Sequence, residues 1–297
     1  MSSRIVNSMR NTIYAFMSQG ITSILSFFTR TVFIYTLGKT YLGLNGLFSD
    51  ILTLLSLAEL GVGTAITYSM YKPMAQNDKR KVSALLNLYS NIYTIIGIVV
   101  TILGLALTPF LSFFISDMPN VANLKIIYLL YLLNTTLSYF FVYKQSMLIA
   151  SQQIYIVSKV QIVATVLQNI FQIIILIMFK NFIFYLVIQV IFVVLTNTYI
   201  SIYVDKKFKY LKEYKSEKLD QQTKKHIYKN VSAMFLSKIS SAVVTSTDNI
   251  LISKYVSTIV LGYYSNYTLF FSLLIKFFTL IFFQIFKFLI YINGNIC

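Results

Sequence analysis

Apolar residues fall into eight runs, each long enough to cross a bilayer, and the short joints between them collect charges, glycine and proline. One helical crossing takes about 20 residues. Only three prolines and ten glycines interrupt the chain, whereas a β-barrel would show alternating segments of about ten residues. The pattern predicts an all-α polytopic membrane protein. Its spans are residues 11–37, 42–70, 83–108, 121–143, 155–179, 182–204, 230–253 and 259–284.

Composition supports this prediction and excludes several classes of function. Hydrophobic residues make up 57% of the chain and charged residues 11%, with a mean hydropathy of +0.72, which no soluble core of this size needs. The single cysteine, Cys297, and the single histidine, His226, give no support to disulfide frameworks, Cys/His metal sites or Cys–His catalysis. The first span follows a basic N-terminus without a small-residue cleavage site, so we expect it to be retained.

The net charge of +16 is distributed as a membrane topology requires, which argues against nucleic acid as a partner. If the N-terminus is cytoplasmic, the predicted inner segments hold 17 Lys and Arg residues and the outer joints hold four, as the positive-inside rule expects. The basic stretch 205–229 is predicted to be a cytoplasmic loop that orients the chain and contacts anionic lipids. A regulatory or partner-binding role for it is the alternative.

Charged residues lie within the spans themselves. Arg30 is in the first span, and Asp50 and Glu59 are in the second. A charge at the bilayer centre costs roughly 2.5–3.5 kcal/mol on insertion scales, so it usually faces a bundle interior or a wet cavity. Arg30 and Asp50 lie at matching depth, about 10–12 Å from their joint, and can pair. The pair is either a structural contact or part of a site for polar cargo, to which depth and charge also assign Lys238.

The chain also contains a weak internal repeat. A shift of 219 residues aligns seven identities over 46 positions, among them Leu42-Gly43 on Leu261-Gly262, and superposes whole helices and joints. Six spans separate the two copies, so they would enter the membrane in the same direction, as in transporters built from parallel repeats. The predicted domains are an N-terminal lobe of six spans (1–204), the basic loop (205–229) and the start of a second lobe (230–297).

Five short runs combine apolar residues with a few polar ones. They are FTRT at 28–31, LGKTYLG at 37–43, ELGVG at 59–63, STDNILIS at 246–253 and GYYSNY at 262–267. These runs resemble polysaccharide flippases of the Wzx type, in the multidrug/oligosaccharidyl-lipid/polysaccharide exporter superfamily, and the resemblance extends from residue 1 to about 280.

The resemblance implies two lobes around a cavity that opens alternately to each side of the plasma (inner) membrane. It implies transport of undecaprenyl-pyrophosphate-linked oligosaccharide for surface polysaccharide (O-antigen, capsule or exopolysaccharide), with no enzymatic activity and no cofactor beyond a proton or sodium gradient or the membrane potential. Membrane lipids, a polymerase or glycosyltransferases would be further partners. Arg30, Glu59 and Asp248 match charged points of the family, and with Asp50 and Lys238 they form the predicted cationic substrate cavity.

In one respect the sequence departs from the family, whose members have twelve or more helices. The predicted spans stop after the eighth, and residues 286–297 look unlike the family, which suggests a C-terminal truncation. The alternatives are therefore a non-transporting fragment, a peptidoglycan-precursor flippase, or a drug/cation antiporter of the same superfamily. A membrane glycosyltransferase or polymerase is disfavoured because the outer joints are short.

Overall fold

A computed structural model describes residues 2–59, 62–115, 123–215 and 217–294, and the fold in these ranges is all-helical, as predicted. Two 3-10 helices, Ser56–Glu59 and Thr108–Phe114, adjoin α-helices. The α-helices are α1 (Ser2–Leu37), α2 (Lys39–Leu55), α3 (Val62–Ala75), α4 (Lys79–Leu107), α5 (Leu124–Ala150), α6 (Ile154–Phe179), α7 (Phe182–Lys207), α8 (Tyr210–Glu213), α9 (Gln221–Tyr255) and α10 (Thr258–Gly294).

Six helices in the described ranges are long and apolar enough to cross a membrane, which makes the chain a multi-pass membrane protein. They are α1, α4, α5, α6, α7 and α10. The seventh predicted span lies on α9, a continuous helix of 35 residues whose first turns carry polar residues of the 205–229 stretch. A count of eight crossings therefore remains a prediction.

The second predicted span is not one continuous helix, and this corrects the sequence-based prediction. Helix α2 ends at Leu55, the 3-10 helix runs to Glu59, and α3 begins at Val62. The sequence places glycine at positions 61 and 63, and glycine has low helix propensity. Broken helices are tolerated at membrane depth where the interrupted backbone lines a cavity.

The connections that the topology places on the cytoplasmic side contact one another through polar groups. The side chain of Asn11 donates to the Gln152 carbonyl at 3.0 Å and accepts from the Tyr155 amide at 2.9 Å. An ion pair joins Lys144 on α5 to Asp205 on α7. The connections that the topology assigns to the same side of the membrane thus lie together.

The predicted outer joints meet at the opposite end. Lys39 donates to the Tyr263 hydroxyl at 2.6 Å, and the ammonium of Lys254 lies 3.3 Å from the ring centroid of Phe113. The broken α2–α3 segment and α9 therefore run between the same two ends as the apolar helices.

The 219-residue repeat has a structural counterpart. Helix α9 begins 219 residues after α1, and α10 begins 219 residues after α2. Helices α2 and α10 pack side by side, and the contact is reciprocal: a Cβ on Gly43 would collide with the carbonyl of Thr258, and one on Gly262 would lie 2.5 Å from the carbonyl oxygen of Lys39. Lys39 and Thr258 are themselves equivalent in the repeat, so the two copies meet in parallel about a local two-fold relationship.

The basic stretch 205–229 is more structured than predicted. Helix α7 extends to Lys207, and α9 already begins at Gln221, where the Asp220 carboxylate accepts from the Thr223 amide at 2.8 Å. Hydrogen bonds from the side chain and the backbone of Thr223 hold the pKa of Asp220 below its usual value. The middle of the stretch is tied to α4, since Asn87 donates to the Lys215 carbonyl at 2.8 Å. The division into domains remains a prediction.

Candidate functional site

A cavity of about 1090 Å³, which we call the main cavity, lies among α2 to α7. Nineteen of its lining side chains are polar but uncharged. They comprise seven serines and threonines, six amides and six tyrosines, the last being Tyr68, Tyr71, Tyr89, Tyr93, Tyr131 and Tyr139. Such a lining offers hydroxyl and amide donors and acceptors together with apolar ring faces.

Glu59 is the one charged side chain among the described residues that line this main cavity. It stands at the end of the 3-10 helix that interrupts the second span, and its carboxylate accepts a hydrogen bond from the Tyr93 hydroxyl at 3.1 Å. The broken helix therefore places an acidic group inside the cavity. Discontinuous helices form substrate and ion sites in many transporters.

Arg30 lies in a neighbouring pocket of about 340 Å³ among α1, α2, α6, α7 and α10. The pocket shares Asn45 and Gln189 with the main cavity. In its wall, Thr29 donates to Asn169 at 2.5 Å, and Gln172 donates to the backbone carbonyl of Tyr185 at 3.2 Å. We call this the Arg30 pocket.

The guanidinium of Arg30 is only partly satisfied by the protein. Its Nε donates to the Asn266 side-chain oxygen at 3.0 Å, whereas Nη2 is buried and has no hydrogen-bond partner among the described residues. A buried charged donor left without a partner is costly. The pocket is therefore suited to an anion that would accept from Nη2.

A third pocket, of about 360 Å³, has lining residues in common with both. It shares Gln145, Gln161 and Asn197 with the main cavity, and Thr165 and Gln168 with the Arg30 pocket. We call the three pockets together the polar region. Among the described residues that line it, Arg30 is the one cation and Glu59 the one carboxylate. The cationic cavity expected from the sequence also includes Lys238, whose side chain lies outside the described residues, so it stays a prediction.

The predicted ion pair between Arg30 and Asp50 is not formed. The Asp50 carboxylate instead accepts a hydrogen bond from the side chain of Asn249 on α9, while Arg30 reaches Asn266 on α10. The reason is geometric: α2 turns Asp50 toward α9, with which it packs. The two polar bonds link the first repeat to the second, and Asn249 is the residue that the repeat aligns with Arg30.

The remaining predicted site residues lie elsewhere. Asp248 is exposed and interacts with Tyr264 on α10, outside the three pockets. Lys238 is on α9, but its side chain lies outside the part of the chain that the structure describes. Of the five predicted residues, the structure thus places Arg30 and Glu59 in the polar region and Asp50 between the repeats.

The tyrosines that line the main cavity were not among the predicted site residues. Tyrosine is abundant throughout this chain, with 23 residues, so no single one stood out. A usable signal was present on α3 and α4, where tyrosines recur three or four residues apart and share a helix face: Tyr68 with Tyr71, and Tyr89 with Tyr93. Gln161 and Gln168 are seven residues apart, which also puts them on one face of α6, and both line the polar region.

Comparison with known proteins agrees with this architecture. A family model described as "Polysaccharide biosynthesis protein" matches residues 8–286. No curated protein and no solved structure matches the chain. Because the family model spans nearly the whole sequence, the chain belongs to the polysaccharide biosynthesis protein family, that of the Wzx-type flippases, as the resemblance indicated.

Proposed function

We propose that this protein flips undecaprenyl-pyrophosphate-linked oligosaccharide units from the cytoplasmic to the outer leaflet of the plasma membrane, for surface polysaccharide synthesis. Membership of the family and the membrane-spanning helices support a polysaccharide-related transporter. The observation that carries the finer proposal is the buried Nη2 of Arg30, which has no hydrogen-bond partner among the described residues and lies beside a large polar cavity.

The chemistry of such a cargo suits the site. Its polyprenyl tail can stay among lipid acyl chains, whereas pyrophosphate and sugar hydroxyls would be left unsatisfied in an apolar crossing. Phosphate oxygens accept strongly from a guanidinium, whose planar fork can make two hydrogen bonds at once. We assign the pyrophosphate to the Arg30 pocket, with Lys238 as its second cation, and the sugars to the main cavity.

The contact between Arg30 and Asn266 suggests how binding could drive a conformational change. This hydrogen bond joins α1 of the first repeat to α10 of the second. A phosphate that takes over the guanidinium would compete with the bond, so the cargo would favour an arrangement in which the repeats have moved apart. Such a difference in contacts between two states is what a ligand needs to shift their populations.

The proposal includes a cytoplasmic N-terminus, supported by the 17-to-4 distribution of basic residues. It also includes coupling to a proton or sodium gradient or to the membrane potential. No chemical step on the cargo is required of the protein, whose task is to bind, shield and release.

A drug/cation antiporter of the same superfamily is the second candidate. The observation in its favour is Glu59, the single charge among the described residues lining the main cavity. A carboxylate there would attract a cationic drug rather than a phosphate. The buried Arg30 beside the same polar region counts against a cationic cargo, because like charges repel more strongly away from bulk water.

Flipping can be measured with the purified chain in proteoliposomes. The vesicles contain undecaprenyl-pyrophosphate-linked oligosaccharide with a fluorescent tag on the sugar, and an impermeant quencher reports the fraction in the outer leaflet. We expect the protein to bring the inner-leaflet pool into reach of the quencher. A fluorescent phospholipid in parallel vesicles should stay protected. Protection of the sugar lipid, or equal exposure of the phospholipid, would contradict the proposal.

A further inference from the structure

The lining of the main cavity carries information about the cargo that the family does not supply. We propose that the sugar unit handled by this protein is a neutral oligosaccharide, without uronic or other acidic sugars. The inference rests on the proposed function, since it concerns the head of the same cargo. Its starting point is the imbalance of the described lining: nineteen uncharged polar side chains, one carboxylate and no cation.

An acidic sugar would bind unfavourably in the main cavity. Its carboxylate would leave water without gaining a positive partner from the described lining, and burial of an unpaired charge is strongly unfavourable. It would also share the space with Glu59, which is held by the Tyr93 hydroxyl. Two carboxylates in one low-dielectric site repel, and such repulsion is an effective way to reject the wrong ligand.

A neutral sugar, in contrast, can pair its polar groups with the lining of the main cavity. Its hydroxyls can both donate and accept, which matches the amides and hydroxyls of the wall. The side-chain oxygen of Asn134 is buried in this wall, and no described residue donates a hydrogen bond to it, so it can accept from a sugar hydroxyl. The six tyrosine rings add apolar faces beside these polar groups.

The position of Arg30 strengthens the assignment. Its pocket is only about a third as large as the main cavity, at about 340 Å³ against 1090 Å³. The pyrophosphate common to all such lipid-linked cargo would occupy the guanidinium and leave no described cation for a second anion. The two spaces therefore divide the cargo into a charged phosphate part and an uncharged sugar part.

The chain contains no tryptophan, which allows a direct binding experiment. Tyr68→Trp places a single tryptophan, which can be excited selectively, in the cavity wall while keeping an aromatic ring. Tyr35→Trp is the matched control, because Tyr35 is 87% exposed and lies outside the three pockets. The detergent-solubilised full chain is titrated with a neutral glucose trisaccharide and with the same trisaccharide ending in glucuronic acid. Thermal unfolding of the unsubstituted chain with each sugar gives a second readout.

We expect the neutral sugar to change the fluorescence of the Tyr68→Trp variant, but not of the control, with a Kd at least tenfold lower than that of the acidic sugar. Adding Glu59→Gln should narrow this ratio, because it removes the repelling carboxylate while keeping its size. The unsubstituted chain should be stabilised more by the neutral sugar.

Equal binding of the two sugars, or tighter binding of the acidic one, would overturn the inference. So would the absence of both a fluorescence change and a thermal stabilisation with either sugar. Its failure is distinguishable from failure of the proposed function. If neutral and acidic lipid-linked units were flipped at the same rate, only the inference would be contradicted. If neither were flipped, the proposed function itself would be contradicted.

Discussion

Replacing Arg30 with alanine is expected to slow the flipping of lipid-linked oligosaccharide by roughly tenfold to a hundredfold. A hydrogen bond to a charged group is worth about 1.5–3 kcal/mol, and each 1.4 kcal/mol is a factor of ten. The guanidinium is the one positive group among the described residues of the polar region, so no described neighbour can replace it. The initial rate of quencher accessibility in proteoliposomes measures the effect.

Two further variants separate charge from geometry. Arg30→Lys keeps the positive charge but loses the planar fork, so it should recover only part of the rate. Arg10→Ala is the matched control: Arg10 lies on the same helix, is exposed and contacts the Tyr155 ring at 5.8 Å, away from the three pockets. It should flip at close to the normal rate. Full activity of the Arg30→Ala variant would reject the anion site.

The second large effect is expected at the crossing of α2 and α10. Gly262→Ala should lower the Tm of the detergent-solubilised protein by about 2–12 °C. The added Cβ would lie 2.5 Å from the Lys39 carbonyl oxygen and 3.5 Å from the Gly43 amide nitrogen. These are backbone atoms, which cannot rotate away, so the helices must separate. Overpacking of this kind typically costs about 1–3 kcal/mol, and each kcal/mol moves Tm by about 2–4 °C in domains of 150–250 residues.

The reciprocal geometry gives this prediction an internal check. Gly43→Ala should be similarly destabilising, since its Cβ would meet the equivalent carbonyl of Thr258. Gly20→Ala on α1 is the control, because nothing lies within 4 Å of the position that its Cβ would take. Alanine is a better helix former than glycine, so this variant should be neutral or slightly stabilising. An unchanged Tm for the Gly262→Ala variant would contradict close packing of the repeats.

The helical class, most helix positions and the repeat could be predicted from the sequence, because each depends on a property that the chain displays locally. Long apolar runs bounded by charges define α1 and α4 to α7. The offset of 219 residues was visible in a few identities such as Gly43 with Gly262. The reciprocal contact between these glycines depends on how two helices cross, which no local pattern specifies.

The break in the second span and the long α9 were missed for a related reason. Hydropathy continues across residues 42–70, yet the α-helix is interrupted at Ser56–Glu59, where Ser56 and Glu59 line the main cavity. A hydropathy pattern shows how apolar a segment is, and not whether its backbone bonds to itself. For α9 the hydropathy pattern gave too short a helix, because its early turns are polar although the helix is continuous from Gln221.

Of the site, the sequence could supply the unusual charges but not their partners. Arg30 and Glu59 were conspicuous because ionisable groups are rare in membrane spans. Equal depth suggested that Arg30 meets Asp50, but depth fixes only one coordinate. The rotation of α2 about its axis decides the rest, and it directs Asp50 to Asn249 and leaves Arg30 to Asn266. The tyrosine wall was hidden by the abundance of tyrosine elsewhere in the chain.

The central claim is that Arg30 receives the phosphate of a lipid-linked cargo, and native mass spectrometry of the purified chain tests it most directly. The protein is offered undecaprenyl pyrophosphate or undecaprenol, which share the same tail. We predict that the pyrophosphate lipid binds at least tenfold more tightly, and that Arg30→Ala removes this preference whereas Arg10→Ala keeps it. Equal retention of the two lipids, or an unchanged preference in the Arg30→Ala variant, would contradict the account.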